Sequence, residues 1–428
     1  MWSTGRSSSV LALGAPPEAV GASRFLSASM ATLVVALLGL GPASEGSGVA
    51  RPQHAPWSVD WAAPQFSALT ELRGLGISAD DFFGAAVATS GATTVVGVPY
   101  LSGGRAYVFA ETARGWRQVT ELQGKDTQAG DYFGISVGIS GPTIVVGANG
   151  AHGSGRAYVF TKLPDGWRQA AELSGTGFAR GAAFGSSVAV SGSTVVVGAP
   201  LDDIFSGAAE VFQRSLDGWR PVARIVGDDT SIENNFGFSV AISGSTIAVG
   251  APGRLVGKGR VYIFRHGGGG WHQVVALEGA DSGLGDNFGY SLAISGNTLV
   301  VGAPWHDSET GAAYAFAFDA SVWRQAAELE GHGTVPGDRF GFSVAISGDT
   351  IVVGAPMYGN GAGEAYLFGW ATGRWRQAAA LTGPGAATGD AFGTSAAVAG
   401  PTVAIGASRH DDGDGAVYLS RESAVGRS

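Results

Sequence analysis

Phe236-Gly-Phe-Ser-Val-Ala-Ile-Ser-Gly-Ser-Thr-Ile-Ala-Val-Gly-Ala-Pro252 is the stretch that decides the fold. Its first half alternates large side chains (Phe236, Phe238, Val240, Ile242) with small ones (Gly237, Ser239, Ala241), and a period of two means a β-strand. Neither face is polar. One is bulky and the other nearly flat, as expected of an inner strand held between two neighbouring sheets. The turn Ser243-Gly244 follows, then a second apolar run from Thr246 to Pro252, close enough to predict a tight hairpin. A variable loop, a third strand from Gly259 to Phe264, a glycine-rich turn and a fourth strand from Trp271 to Leu277 complete the unit.

The unit repeats. In-phase Phe-Gly glycines stand at Gly84, Gly134, Gly185, Gly237, Gly289, Gly341 and Gly393, in steps of 50, 51 and then 52 residues. Thirteen residues beyond each lies a second glycine: Gly97, Gly147, Gly198, Gly250, Gly302, Gly354 and Gly406. Self-similarity at this period marks a propeller or solenoid. Seven units of four antiparallel strands describe a seven-bladed β-propeller, an all-β fold. The chain ends agree with a closed ring. Trp116, Trp167, Trp219, Trp271, Trp323 and Trp375 each open a fourth strand, whereas the seventh unit stops after Ala416-Val-Tyr-Leu419. Phe66 stands at the tryptophan position, eight residues before Gly74. The N-terminal strand from Phe66 to Leu72 is therefore expected to complete the last blade and close the ring, removing free sheet edges.

Glycine makes up 71 of 428 residues alongside abundant Val, Ile, Phe and Trp, a composition of tight turns between buried strands. Charged residues are sparse at 14%, the net charge is −9, and no Lys/Arg-rich run occurs, which argues against a nucleic-acid surface. Cysteine is absent, so disulfides, thiolate chemistry and a lipid anchor on an N-terminal cysteine are excluded. Arg6 and Arg24 precede an apolar run, Ala31 to Gly41, too short to span a bilayer but fitting the core of a secretory signal. Cleavage is expected after Ala43 or Ala50. The expected organisation is a signal peptide or leader over residues 1–50, a linker over 51–65, the propeller over 66–420 and a tail over 421–428. It implies a secreted or cell-surface/periplasmic protein with no integral membrane segment in the mature chain.

These seven in-phase Phe-Gly and Gly-Ala-Pro signatures resemble the FG-GAP repeats of the integrin α-chain propeller. The tryptophan that opens the fourth strand and the compact Ser-Gly turn are most similar to the bacterial-type FG-GAP repeat proteins. The resemblance covers about residues 66–420 and implies partner binding on one face of the ring. Calcium-binding blades of the integrin type carry an Asp-x-Asp-x-Asp-Gly loop between first and second strands. Here that place holds Ser90-Gly91, Ser140-Gly141, Ser191-Gly192, Ser243-Gly244, Ser295-Gly296, Ser347-Gly348 and Ala399-Gly400. A two-residue turn cannot supply six to eight oxygen ligands. No cofactor is expected, and no metal at the family position.

Long, varied connections fall between strands two and three and between blades, on one face, where binding residues on a rigid scaffold usually lie. Trp305, His306 and Asp307 form the most suggestive cluster there, an aromatic beside polar groups that would stack on a sugar or anchor a protein; the alternative is an aromatic lid over the blade core. Tyr358, Asp202 and Asp203 join them as candidate ligand-binding residues. Asp411, Asp412 and Asp414 are weak candidates for a cation, the alternative being a solvated acidic turn. Asp81, Asp131, Asp286, Asp338 and Asp390 recur two residues before the Phe, with Asn234 and Ala182 in the other two units. A ring of acids at the channel mouth would suit a cation, but they are read as acceptors for turn N–H groups, a role Asn would fill too. No HExxH, GxSxG or Walker lysine motif occurs, and no catalytic residue is nominated. The expectation is an exported, non-enzymatic binding or adhesion module for a protein or glycan. The alternatives are a secreted carbohydrate-active hydrolase or lyase using channel-mouth carboxylates, and a structural subunit of a surface assembly.

Overall fold

The computed structural model describes residues 66–253 and 257–422. The leader and linker expected over residues 1–65, and residues 423–428 of the expected tail, lie outside the described residues. Seven four-stranded antiparallel sheets form the ring of a β-propeller. The fourth blade is typical: β14 (Ser239–Ser243), β15 (Thr246–Ala251), β16 (Arg260–Gly267) and β17 (Gly270–Leu277) pair in chain order. The innermost strands of successive blades touch one another around the closed ring.

Burial follows position within the blade. The second strand has sheet neighbours on both sides and blades on both faces, so β15 is an almost continuous apolar run and is buried from Ile247 to Ala251, as a strand covered on both faces requires. The fourth strand is the outer edge; β9 (Gly166–Leu173) alternates exposed and half-buried residues before the buried Leu173. Six of the seven pairs between third and fourth strands carry a register shift, as between Val211 and Phe212. Such bulges twist an edge away from further pairing.

The hydrophobic cores lie between blades. One joins Val196, Ala209 and Val211 of the third blade to Phe236, Ile247, Val249 and Tyr262 of the fourth. The repeated tryptophans belong to these cores: Trp323 is buried, and the others pack as half-buried side chains at the rims.

The ring closes as the N-terminal segment predicts. β1 (Thr70–Leu72) pairs with β28 (Ala416–Arg421), Leu72 lying opposite Val417, and Phe66 bridges to Glu422. One core unites Phe83 and Tyr107 of the first blade with Leu72, Ala404, Val417 and Leu419 of the last.

The inner strand departs from its predicted start. Alternation from Phe236 predicts a strand there, but β14 begins at Ser239. Asn235 and Gly237 both take positive φ, 56° and 88°, so the Phe-Gly dipeptide is a sharp bend and not extended chain. The bend drives Phe236, fully buried, into the core and bridges it to Gly207 of the preceding blade.

The two glycines of each signature meet across blade boundaries. A Cβ on Gly198 would fall well inside contact distance of the Gly237 carbonyl oxygen in the next blade. The same oxygen accepts a hydrogen bond from Ser187 Oγ at 2.8 Å. Ser136, Ser239, Ser291 and Ser343 repeat this link, and Ser395 makes it to Gly84, sealing last blade to first. Ala86 takes the serine's place in the first blade.

Candidate functional site

The loops between second and third strands are locked to the segment leading into the next blade. Asn235 and Phe236 N–H groups donate to the carbonyls of Phe205 and Ser206, and Gly207, Gly311, Gly363 and their equivalents bridge to the next Phe. At the closure Phe82 and Phe83 donate to Gly413 and Asp414. The varied face is therefore one braced surface.

The recurrent acid before each Phe acts as read from the sequence. Asp81, Asp131, Asn234, Asp286, Asp338 and Asp390 each accept the N–H of the residue three positions earlier, at 2.6–2.8 Å. In two blades the same oxygen also orients a histidine: His306 Nδ1 lies 2.7 Å from Asp286 and His410 Nδ1 lies 2.8 Å from Asp390.

Trp305 is half-buried. Its ring stands edge-on to Tyr290, with centroids 5.0 Å apart, and the Arg339 guanidinium lies 5.5 Å from its centroid. Arg339 is fixed in turn by Glu309 at 2.8 Å. Trp305 is thus clamped between the fifth and sixth blades. Asp307 is exposed and holds a left-handed conformation, φ 45°. Tyr358 packs against the core between the fifth and sixth blades. Asp202 and Asp203 part company: Asp202 is buried, bonded to Arg224 and accepting the Ala179 N–H at 3.1 Å, whereas Asp203 is exposed. The last blade's acidic loop borders a cleft of about 590 Å³ that Asp411 and Asp412 share with Asp80, Phe82, Asp390 and Arg409. Arg73 pairs with Asp411 at 2.5 Å and holds its carboxyl below the usual range. Asp411, Asp412 and Asp414 do not converge as a three-ligand set among the described residues.

Two other sets do converge, Asp126 with His152 and Glu172, and Asp281 with His306 and Glu328. They occupy equivalent places in the second and fifth blades. In the fifth, burial and the Asp281 charge push the Glu328 carboxyl up. Burial acts the same way on Asp281, but hydrogen bonds from Tyr314 and Glu328 outweigh it and hold that carboxyl down. Burial opposes the His306 imidazolium, yet the hydrogen bond and charge of Asp286, with Asp281 and Glu328 adding, raise its pKa. Of this set only His306 was marked by sequence reasoning. The missed acids are 25 and 22 residues away from it in the chain, and only alignment of the seven units on one another would have shown that they share a corner.

The fold and its braced loop face define a repeat-built propeller that displays variable loops. The FG-GAP repeat matches six segments, residues 116–160, 167–212, 219–264, 271–316, 323–368 and 375–420, each opening on one of the six tryptophans. The chain belongs to the FG-GAP repeat family. No curated protein matches it. Among the described residues no helix is long and apolar enough to cross a membrane.

Proposed function

We propose that the chain is an exported, non-enzymatic binding or adhesion module whose loop face takes a protein or glycan ligand. The observation that carries this reading is the clamped Trp305. A half-exposed indole held between Tyr290 and Arg339, beside His306 and the exposed Asp307, offers rigid contact area at low entropic cost, the usual property of an anchoring residue. Tyr358, on the corresponding loop of the neighbouring sixth blade, and Asp203, on that of the third blade, extend the same face. Asp202 is left out of the contact surface because its carboxylate is consumed within the fold. Export rests on the signal-like composition of residues 1–50.

One observation favours the carbohydrate-active enzyme as a second reading: Asp281 and Glu328 are adjacent carboxyl groups with proton affinities driven apart, the pattern of acid and base pairs. Both are exposed, whereas catalysis on a glycan calls for a cleft that excludes water, so binding remains the reading proposed. The test is binding of the full-length protein to immobilised glycan and matrix-protein arrays, with calcium and with chelator. Saturable binding lost in Trp305→Ala, with the melting temperature retained, supports the module. Dependence on calcium would direct attention to Asp411, Asp412 and Asp414. Absence of binding in both conditions overturns the broad-ligand adhesin.

A further inference from the structure

We propose that Asp281, His306 and Glu328 bind one divalent transition-metal ion of the zinc class on the loop face of the fifth blade. The three side chains come from different elements. Asp281 lies in the segment leading into the blade, His306 in the loop between second and third strands, and Glu328 near the end of β21 (Val322–Leu329). Their ligand atoms all lie within 4.8 Å of one another, and His306 Nε2 is 3.8 Å from Asp281 Oδ2. Metal–ligand bonds of about 2.0–2.1 Å in a tetrahedral arrangement place ligand atoms about 3.3 Å apart. The observed gap between His306 and Asp281 is too wide for a hydrogen bond and about 0.5 Å wider than that spacing.

The histidine is oriented for this task. Asp286 is buried and its Oδ2 is fixed by the Gly283 N–H at 2.6 Å. A carboxylate only accepts, so His306 Nδ1 donates to Asp286 at 2.7 Å, and Nε2 faces Asp281 and Glu328, where a metal ion would take the place of its proton. A carboxylate behind a ligating imidazole is the usual outer-shell arrangement of protein metal sites. Asp281 is also divided in function: Oδ1 accepts the Tyr314 hydroxyl at 2.9 Å, while Oδ2 faces the histidine.

The other blades supply the contrast. Glu121 and Glu172 occupy the position of Glu328, and each is neutralised by an arginine two residues before the blade's tyrosine: Arg105 at 2.5 Å and Arg156 at 2.9 Å. The fifth blade has Ala312 there. Among the described residues neither Asp281 nor Glu328 has a lysine or arginine partner, so the two acids and the histidine face one another with no fixed cation between them, only protons that a metal ion would displace. The second-blade set looks similar in composition but is already satisfied. His152 Nε2 is 2.6 Å from Asp126, a direct hydrogen bond with no room for an ion, and Arg156 holds Glu172. One imidazole with two carboxylates suits zinc, cobalt or manganese better than calcium or magnesium, which take oxygen donors. Three protein ligands, two of them exposed, leave a coordination position open to solvent.

The test uses untagged full-length protein, stripped with chelator and titrated with Co²⁺, whose visible absorption reports nitrogen and oxygen ligation, followed by displacement with Zn²⁺. Expected is about one equivalent bound, with His306→Ala and Glu328→Gln each weakening binding at least about tenfold and Asp286→Asn about 10–100-fold. Ala312→Arg restores the arginine seen in the sister blades and should abolish binding; Arg105 and Arg156 already fit this position, so the fold, checked by metal-free melting, should survive. His152→Ala should leave binding unchanged. Wild-type protein that binds no more metal than His306→Ala, or binding that persists in both Glu328→Gln and Ala312→Arg, overturns the assignment. Loss of binding in His152→Ala would overturn it in favour of the second blade.

Discussion

Replacing Gly302 by alanine tests the idea that the second glycine of each signature exists to let blades approach. The added Cβ would meet the carbonyl oxygen of Gly341 in the next blade and the hydroxyl of Ser291. The carbonyl is backbone and cannot rotate away, so the sixth blade must move. Overpacking of this kind costs about 1–3 kcal/mol or more. The Ser291 Oγ hydrogen bond to Gly341, 2.8 Å long, is disturbed at the same time and adds roughly 1 kcal/mol. The expected loss is about 2–4 kcal/mol, a large part of the stability of an ordinary domain. Gly296→Ala is the matched control. Gly296 lies in the adjacent hairpin turn at φ 56° with nothing within 4 Å of the new Cβ, so it loses only about 1–2 kcal/mol for left-handed backbone. Equilibrium urea unfolding followed by tryptophan fluorescence measures both. Ser291→Ala combined with Gly302→Ala should cost less than the sum of the two changes, because they act on one contact. If Gly302→Ala costs no more than Gly296→Ala, close approach is not what the glycine provides.

The blade-to-blade serine can be tested by removal and by addition. Ser395→Ala leaves the Gly84 carbonyl without its hydroxyl donor at the closure and should cost about 1–3 kcal/mol, while Ala86→Ser adds the missing link and should stabilise by about 0.5–1.5 kcal/mol; equal effects of both signs near zero in urea unfolding would refute the role. Alkaline pH should unfold the propeller through its core tyrosines. Burial, with Glu121 adding, pushes Tyr107 up to about 12, and burial, with Glu71 adding, does the same to Tyr418. Folded-state pKa values above the unfolded value of about 10 mean that the contribution is complete below pH 10 and is lost as pH rises through 12, by up to about 1.4 kcal/mol per pH unit for each tyrosine. Stability that stays flat from pH 9 to 11.5 in denaturant titrations would contradict this.

Much of the architecture is legible in the chain because a repeat states the same local rule seven times. The period of the Phe-Gly pairs, the tryptophans that open outer strands and Phe66 standing in for the seventh are enough to specify blades, their number and the closing strand. The acceptor role of Asp286 and its counterparts is legible too, since it involves a backbone group only three residues away. The start of the inner strand was misplaced for a local reason: alternation in side-chain size does not distinguish extended chain from a bend, and the positive φ values at Asn235 and Gly237 become visible only once the Phe is seen bridging to the preceding blade.

The sequence by itself determined what depends on neighbours in the chain or on the period: the strand faces, the turns, the blade count, the ring closure and the missing acidic loops between first and second strands. Tertiary structure alone decided which charges meet. Asp202 and Asp203 are adjacent in sequence, yet one is buried against Arg224 and the other is in solvent. Asp281, His306 and Glu328 share a corner because three segments of one blade end on the same side, and with Ala312 in place of an arginine no fixed cation stands among them. Side-chain electrostatics acts over a few ångströms of space, and residues far apart in the chain come within that range only when the blades have packed.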